Sequence, residues 1–393
     1  MAEAVRIFCN ECQDVLHLPD LHTHRTLHKA LDLFGYDIRS LPTIDELTDD
    51  RNRLISCFHG SYEENGRSKA LLEINKQFEF LREHILSGKW IGEFPEVLHQ
   101  QVSQIVEQDK VICDRTCEIV TCHNELWRPE FEDFHCVTEF LVGDTPVELF
   151  ALFEGYHGDC AARLASEKLP GLLKEQLSSV DFTNEPKEIS CAIDNCLTTV
   201  FNMIDKYLSH GVDEVSRIRW SGCSACVCLK IKETLHVANV GNVHALSITR
   251  KGIVRLLTNP HTLHNQLEFN RIRSMHPKVH VSKKSGLING VVSTTRGLGN
   301  YGDPILKSAL ICQPEITSTP ISDECFYLVM STSSLFKSLD IADIQSLVEL
   351  NILVCETDPD RQKKTLSALL VQAVLALHCH DNSTVISYPL GCI

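Results

Sequence analysis

Hydrophobic spacing divides the chain into a helical first part and a strand-rich remainder. In residues 72–90, LEINKQFEFLREHILSGKW, the apolar positions Leu72, Ile74, Phe78, Leu81, Ile85 and Leu86 recur at helical spacing, with Gly88 just past the expected end. EFPEVLHQQVSQIVEQDKVI continues in the same style, so residues 36–115 read as a helical connector. From about residue 116 the pattern changes to short strands mixed with long helices. HCVTEFLV and VELFALF read as strands, then DCAARLASEKLPGLLKEQL and EISCAIDNCLTTVFNMIDKYLSH as amphipathic helices. SACVCLKI, TLHVANV and HALSITR follow as three strands with short polar separators, as in a meander. ECFYLVMST is another strand, RQKKTLSALLVQAVLALHCH a helix and STVISYPL a last strand. This order suits an α+β fold, two packed antiparallel sheets with helices outside, rather than a βαβ repeat.

The 393 residues are 43% apolar, enough for a substantial core, and carry 37 Lys and Arg against 52 Asp and Glu, a formal charge of −15. That acidic balance argues against general binding to a phosphate backbone, so no nucleic-acid partner is expected. No apolar run approaches the roughly 20 residues of a membrane span, so no membrane partner is expected either. The segment MAEAVRIFCNEC lacks the basic stretch and long apolar core of a secretory signal. The expectation is a soluble intracellular protein, cytoplasmic or nuclear. In that setting the 18 cysteines read as thiols or metal ligands rather than disulfides. Cys191, Cys196 and the Cys223, Cys226, Cys228 run read as small buried hydrophobes.

Residues 1–35 hold a second kind of signal. Cys9 and Cys12 are separated by two residues, His24 and His28 by three, and Cys12 and His24 by eleven. Two thiolates from a tight knuckle and two imidazoles one helical turn apart can hold a tetrahedral zinc ion. The segment resembles a Cys-Cys-His-His zinc finger with a slightly short centre, acting as a fold staple or protein-contact module. The bland alternative is a chance Cys-x-x-Cys beside a His-rich helix, and the spare imidazoles His17 and His22 leave the first histidine ligand open.

Residues 116–393 carry seven short blocks in order: RPEFED (128–133), LFALFEGYHG (149–158), GCSA (222–225), VANVGNVHA (237–245), TTRGLGN (294–300), LVMSTSSLF (328–336) and HDNSTVI (380–386). They resemble the metal-dependent type 2C Ser/Thr protein phosphatases over roughly residues 125–388. The corresponding blocks of that family run Arg-x-x-x-Glu-Asp, Phe-Ala-Val-Tyr-Asp-Gly-His-x-Gly, Gly-Ser-Thr-Ala, Val-Ala-Asn-Val-Gly-Asp-Ser-Arg-Ala, Ser-Arg-x-Leu-Gly-Asp, Ala-Ser-Asp-Gly-Leu-Trp-Asp and Asp-Asn-x-Thr-Val. The resemblance implies a β-sandwich flanked by helices. It also implies hydrolysis of phosphoserine and phosphothreonine through two Mn²⁺ or Mg²⁺ ions that activate a water, with an Arg holding the phosphate.

Against that family pattern, Arg128 matches the phosphate-binding Arg, Glu132 and Asp133 the acidic pair, Gly155 the glycine whose carbonyl helps hold one metal, and Asp381 with Asn382 the late Asp-Asn. Other positions depart from it. The bridging Asp is Glu154, whose extra methylene moves the carboxylate by roughly 1–1.5 Å in a site that tolerates about 0.5 Å. The Asp of Ala-Ser-Asp-Gly is Ser333, or Thr332 if the register slips by one. Asn300 and Asn242 replace two further Asp, and Tyr156 replaces the His, with His157 next to it. Tyr titrates near pH 10 and is a poor proton shuttle at neutral pH.

Asp133, Glu154, Gly155 and Asp381 are therefore expected to form a remnant site with room for one weakly held Mn²⁺ or Mg²⁺ ion, beside a remnant phosphate site at Arg128 and His157. The leading expectation is a pseudophosphatase that works by binding a protein partner, in particular a phosphoprotein. The alternatives are a weak Mn²⁺- or Mg²⁺-dependent Ser/Thr phosphatase and a zinc-finger adaptor on a silent scaffold. Arg128 as a salt-bridge partner of Glu130 or Glu132, Asp381 as a strand brace and Glu154 as an exposed turn residue are the competing structural readings.

Overall fold

A computed structural model describes residues 6–8, 15–17, 21–36, 41–57, 64–87, 105–124, 128, 130–209, 219–276, 278–283, 286–322, 325–357, 365–377, 379 and 381–390. The chain falls into two units, one of Met1–Gln100 with Leu375–His378 and one of Gln101–Val374 with Cys379–Ile393.

In the first unit β1 (Arg6–Phe8) pairs with β2 (Val15–His17), and three helices follow: α1 (Leu21–Phe34), α2 (Ile44–Cys57) and α3 (Glu64–Ser87). Leu27 and Leu31 of α1, Leu47 of α2 and Ile74, Phe78 and Leu81 of α3 form one buried cluster. The segments expected as a separate finger (1–35) and connector (36–115) thus share a core. A capping box starts α2: the Glu46 carboxylate accepts the Thr43 amide at 2.8 Å, and the Thr43 hydroxyl accepts the Glu46 amide at 3.3 Å.

The second unit begins earlier than expected. IVEQDKVI, read above as helix, is β3 (Ile105–Ile112), hairpin partner of β4 (Arg115–Cys122). β3 is the outermost strand of its sheet and most of its side chains face solvent, so it shows neither the alternation of a half-buried strand nor an apolar run.

Then come β5 (Asp133–Val142), β6 (Thr145–Tyr156), α4 (Cys160–Leu177), α5 (Pro186–Ser209), β7 (Gly222–Ile231), β8 (Thr234–Val240), β9 (His244–Thr249) and β10 (Val254–Leu256). The rest is α6 (Gln266–Met275), β11 (Val281–Ser282), β12 (Leu287–Ile288), β13 (Leu298–Gly299), α7 (Pro304–Ala309), β14 (Glu315–Pro320), β15 (Cys325–Ser331), α8 (Ser333–Ser338), α9 (Ile341–Thr357), α10 (Leu366–Ala376) and β16 (Ser383–Pro389). Each strand and helix read from the spacing after residue 116 has its counterpart here.

Two antiparallel sheets result, ordered β14-β8-β7-β6-β5, with β13 beside β7, and β10-β9-β15-β16-β4-β3. Strand β6 shows how they stack. Val147, Leu149, Ala151 and Phe153 face α4 and α5 in one buried cluster. Phe150 and Leu152 point the other way, against Met330, Ile386 and Tyr388 of the second sheet. On the far side, Ser367 of α10 hydrogen-bonds Ser387 of β16 at 2.8 Å, which completes a helix–sheet–sheet–helix order. Cys226 and Cys228 lie in the inter-sheet core and Cys223 on the helix-facing side, all buried free thiols. Among the described residues no helix is long and apolar enough to cross a membrane.

Candidate functional site

The inter-sheet face turns polar at one end of the sandwich. Along β6 the apolar Phe150 and Leu152 give way to Glu154 at the next inward position. Asp133 of β5 and Ser224 of β7 are its register partners on either side. From the opposite sheet Thr384 continues the inward row of Ile386 and Tyr388 and donates its hydroxyl to the Asp133 carboxylate at 2.8 Å. Burial, and after it the neighbouring Glu154 charge, pushes the Asp133 carboxyl well above the usual range, with the Thr384 hydrogen bond working against them.

Glu154 is engaged by the residue that stands in the position of a family Asp. The Ser333 hydroxyl and its backbone amide, at 3.2 Å for the amide, both donate to the Glu154 carboxylate. Ser333 opens the short helix α8, whose start is tied to β16 by hydroxyls: Thr332 accepts the Thr384 amide at 3.1 Å and Ser334 donates to Ser383 at 2.9 Å. Burial raises the Glu154 carboxyl, and Lys337 opposes that rise.

Asp381 lies just before β16 and is bracketed by two cations. Arg128 Nη2 approaches Oδ1 at 2.8 Å and Lys337 Nζ approaches Oδ2 at 2.9 Å. Burial alone would raise the Asp381 carboxyl, but Lys337 and then Arg128 hold it below the usual range. Arg128 also stands 3.9 Å from Glu132, so it contacts both acidic residues. Glu132 accepts the Gly158 amide at 2.5 Å, and its own amide donates to Asn382 at 3.0 Å. Asn382 in turn donates to the His123 carbonyl, which bolts the end of β4 to the 130–132 segment. Gly155 passes so close to this segment that a Cβ there would sit 2.6 Å from the Glu132 carbonyl oxygen. The close approach alone demands glycine.

Two of the departures from the family pattern meet each other. Asn300, in a left-handed conformation with φ 63°, donates its side-chain amide to the Tyr156 hydroxyl at 2.8 Å. A Cβ at Gly222 would collide with that Asn300 amide and one at Gly297 with the Tyr156 hydroxyl, so the pair fills a fitted space. Burial keeps the Tyr156 phenol far above its usual range, where it is neutral. Asn242 donates its backbone amide to Ser224 at 3.2 Å. His157 is exposed, with φ 59° and its ring edge-on to Tyr156.

The structure thus brings Arg128, Glu132, Asp133, Glu154, Gly155, Ser333, Asp381 and Asn382 together, and pairs Asn300 with Tyr156. Glu154 is not an exposed turn residue, and Asp381 is held by two cations while its carboxylate also accepts the Asn382 amide at 3.1 Å at the entry to β16. Two site residues were missed, Thr384 and Lys337. Lys337 was within reach of the block alignment: with Ser333 in the place of the first Asp of Ala-Ser-Asp-Gly-Leu-Trp-Asp, the last Asp of that block falls on Lys337. Among the described residues no three His, Cys, Asp or Glu side chains converge as a metal-holding group. At the N-terminus His24 and His28 lie on α1 with their Nε2 atoms 3.1 Å apart, whereas Cys9 and Cys12 lie outside the described residues.

The sequence pattern of the family described as Protein phosphatase 2C matches residues 117–383. The chain is 28% identical to Protein phosphatase 2C-like domain-containing protein 1 of Homo sapiens, over 86% of this chain and 64% of that protein. Its counterpart in Mus musculus is 27% identical, over 86% and 65%. The chain therefore spans a little under two thirds of the length of these relatives. Among solved structures, the fold is similar to a sex-determining protein of C. elegans (TM-score 0.56, 16% identity, covering 95% of this chain and 88% of that one). It is equally similar to serine-threonine phosphatase 2C from Toxoplasma gondii (TM-score 0.56, 16% identity, covering 72% and 98%).

Proposed function

Because the chain belongs to the Protein phosphatase 2C family, we propose that it is a pseudophosphatase, in which the fold is kept, the two-metal chemistry is lost and the protein acts by binding a protein partner. The observation that carries this reading is the Ser333–Glu154 pair. Where family members place two metal-binding carboxylates, this chain has one carboxylate and a hydroxyl bonded to each other. The remaining donors are engaged as well, Asp133 by Thr384 and Asp381 by Arg128 and Lys337. Hard divalent ions need free oxygen donors, mostly carboxylates and water, in a defined geometry. These residues do not fit a pair of Mn²⁺ or Mg²⁺ ions.

The family's proton donor is absent too, since Tyr156 is a partly buried neutral phenol bonded to Asn300 and His157 faces solvent. Arg128, with 42% of its side chain exposed, is the group a phosphorylated partner would meet first. The test is hydrolysis of an aryl phosphate and of a phosphothreonine peptide by the full chain across a Mn²⁺ and a Mg²⁺ titration, with Asp381→Ala as control. The expected result is no turnover above the control at any metal concentration. Saturable metal-dependent turnover that disappears in Asp381→Ala would replace this reading with that of a weak Ser/Thr phosphatase.

A further inference from the structure

We infer that Lys337 is a built-in cation that stands in for the divalent ion, balancing the carboxylates of the site so that the domain closes around them without metal. The inference rests on the pseudophosphatase reading above and adds what replaced the metal. Lys337 lies four residues after Ser333 on α8, one helical turn along and on the same side. Its Nζ meets Asp381 Oδ2 at 2.9 Å, while Arg128 takes Oδ1 at 2.8 Å. Any ion approaching Asp381 would have to displace a tethered cation from one oxygen or the other.

The position matters as much as the contact. Lys337 falls where the family block ends in Asp, so the site has exchanged a negative for a positive charge at that place, beside the charge already lost at Ser333. A retained carboxylate cluster without a counter-charge costs stability, because like charges that share one site repel and are desolvated together. Lys337 supplies that counter-charge from within the chain. Its side chain is 49% exposed, and what separates it from an ordinary surface ion pair, which contributes little, is that the Asp381 carboxylate is mostly buried and shared with Arg128.

The test compares melting of the full chain in EDTA and in millimolar Mn²⁺, with Mn²⁺ uptake followed from the free-ion electron paramagnetic resonance signal. Wild type is expected to melt at the same temperature in both and to take up no Mn²⁺. Lys337→Met is expected to melt roughly 5 °C lower in EDTA, to recover part of that in Mn²⁺ and to take up the ion, whereas Lys337→Arg stays within about 1 °C of wild type. A Lys337→Met chain as stable as wild type would reduce Lys337 to a surface partner of Asp381 and overturn the inference. A destabilised Lys337→Met that Mn²⁺ does not restore would overturn it too. If Lys337→Met is insoluble, soluble yield with and without Mn²⁺ in the growth medium replaces the melt, with recovery supporting the inference and its absence overturning it. A wild-type chain that turns over phosphate would instead remove the reading beneath it, and the hydrolysis assay separates the two.

Discussion

Glu268→Gln is expected to melt roughly 6–12 °C below wild type at neutral pH, with the difference vanishing in acid. Glu268, on α6 and buried, receives Arg296 through Nη2 at 2.7 Å and Nε at 3.1 Å, Arg271 at 2.8 Å and the Thr295 hydroxyl at 2.8 Å. The two arginines also reach backbone carbonyls, Arg271 at Thr295 and Ala309 and Arg296 at Gln313. One carboxylate thus anchors the TTRGLGN block that delivers Asn300 to Tyr156. Burial alone would raise the Glu268 carboxyl, but the arginines and Thr295 outweigh it and hold it at about 2 instead of 4.5.

That difference is worth about 3 kcal/mol, and removing the charge leaves two largely buried guanidiniums without their partner. A carboxyl with a depressed folded pKa stabilises fully above its unfolded value and loses that contribution as pH falls toward the folded one. Wild type and variant melting curves should therefore converge between about pH 4.5 and pH 2. A constant gap over that range would mean that the loss is one of packing and not of charge.

Ser333→Asp, which restores the family residue, is expected to destabilise the domain in the absence of metal by about 3–5 kcal/mol. Ser333 is 2% exposed and its hydroxyl already touches the Glu154 carboxylate. A carboxylate there would face Glu154, with Asp133 beside that residue and Lys337 and Arg128 on Asp381 to offset the cluster. Ser333→Asn adds the same bulk without the charge and should lose much less. In a domain that holds metal ions at this place the order would be reversed, since the new carboxylate would complete a ligand set. Thermal melts of both variants in EDTA distinguish the two cases.

The fold was largely legible because β6 to β9 are short, almost continuously buried runs broken by polar turns, and the helices between them repeat at helical spacing. The β3–β4 hairpin was not. Its turn is made by Cys113 and Asp114 with φ 46° and 62°, a conformation that Asn-Gly or Asp-Gly usually announces, and its edge strand is polar on both faces. At the site, block spacing located Arg128, Asp133, Glu154, Ser333 and Asp381, because each falls at a defined place in a block that resembles the family pattern. Spacing could not show that the substitutions compensate one another. Tyr156 and Asn300 are 144 positions apart and Ser333 and Glu154 are 179 apart, and each pair makes sense only once the strands are in register. Thr384 was invisible for the same reason, since nothing marks a hydroxyl 251 positions away as the partner of Asp133.

The most direct test of a site without its two metals is a count of Mn²⁺ bound per chain at equilibrium. The 393-residue wild-type chain, stripped with EDTA and dialysed against micromolar and then millimolar Mn²⁺, is expected to retain no stoichiometric ion at this site. Two Mn²⁺ per chain at micromolar concentration, both lost in Asp381→Ala, would contradict the account.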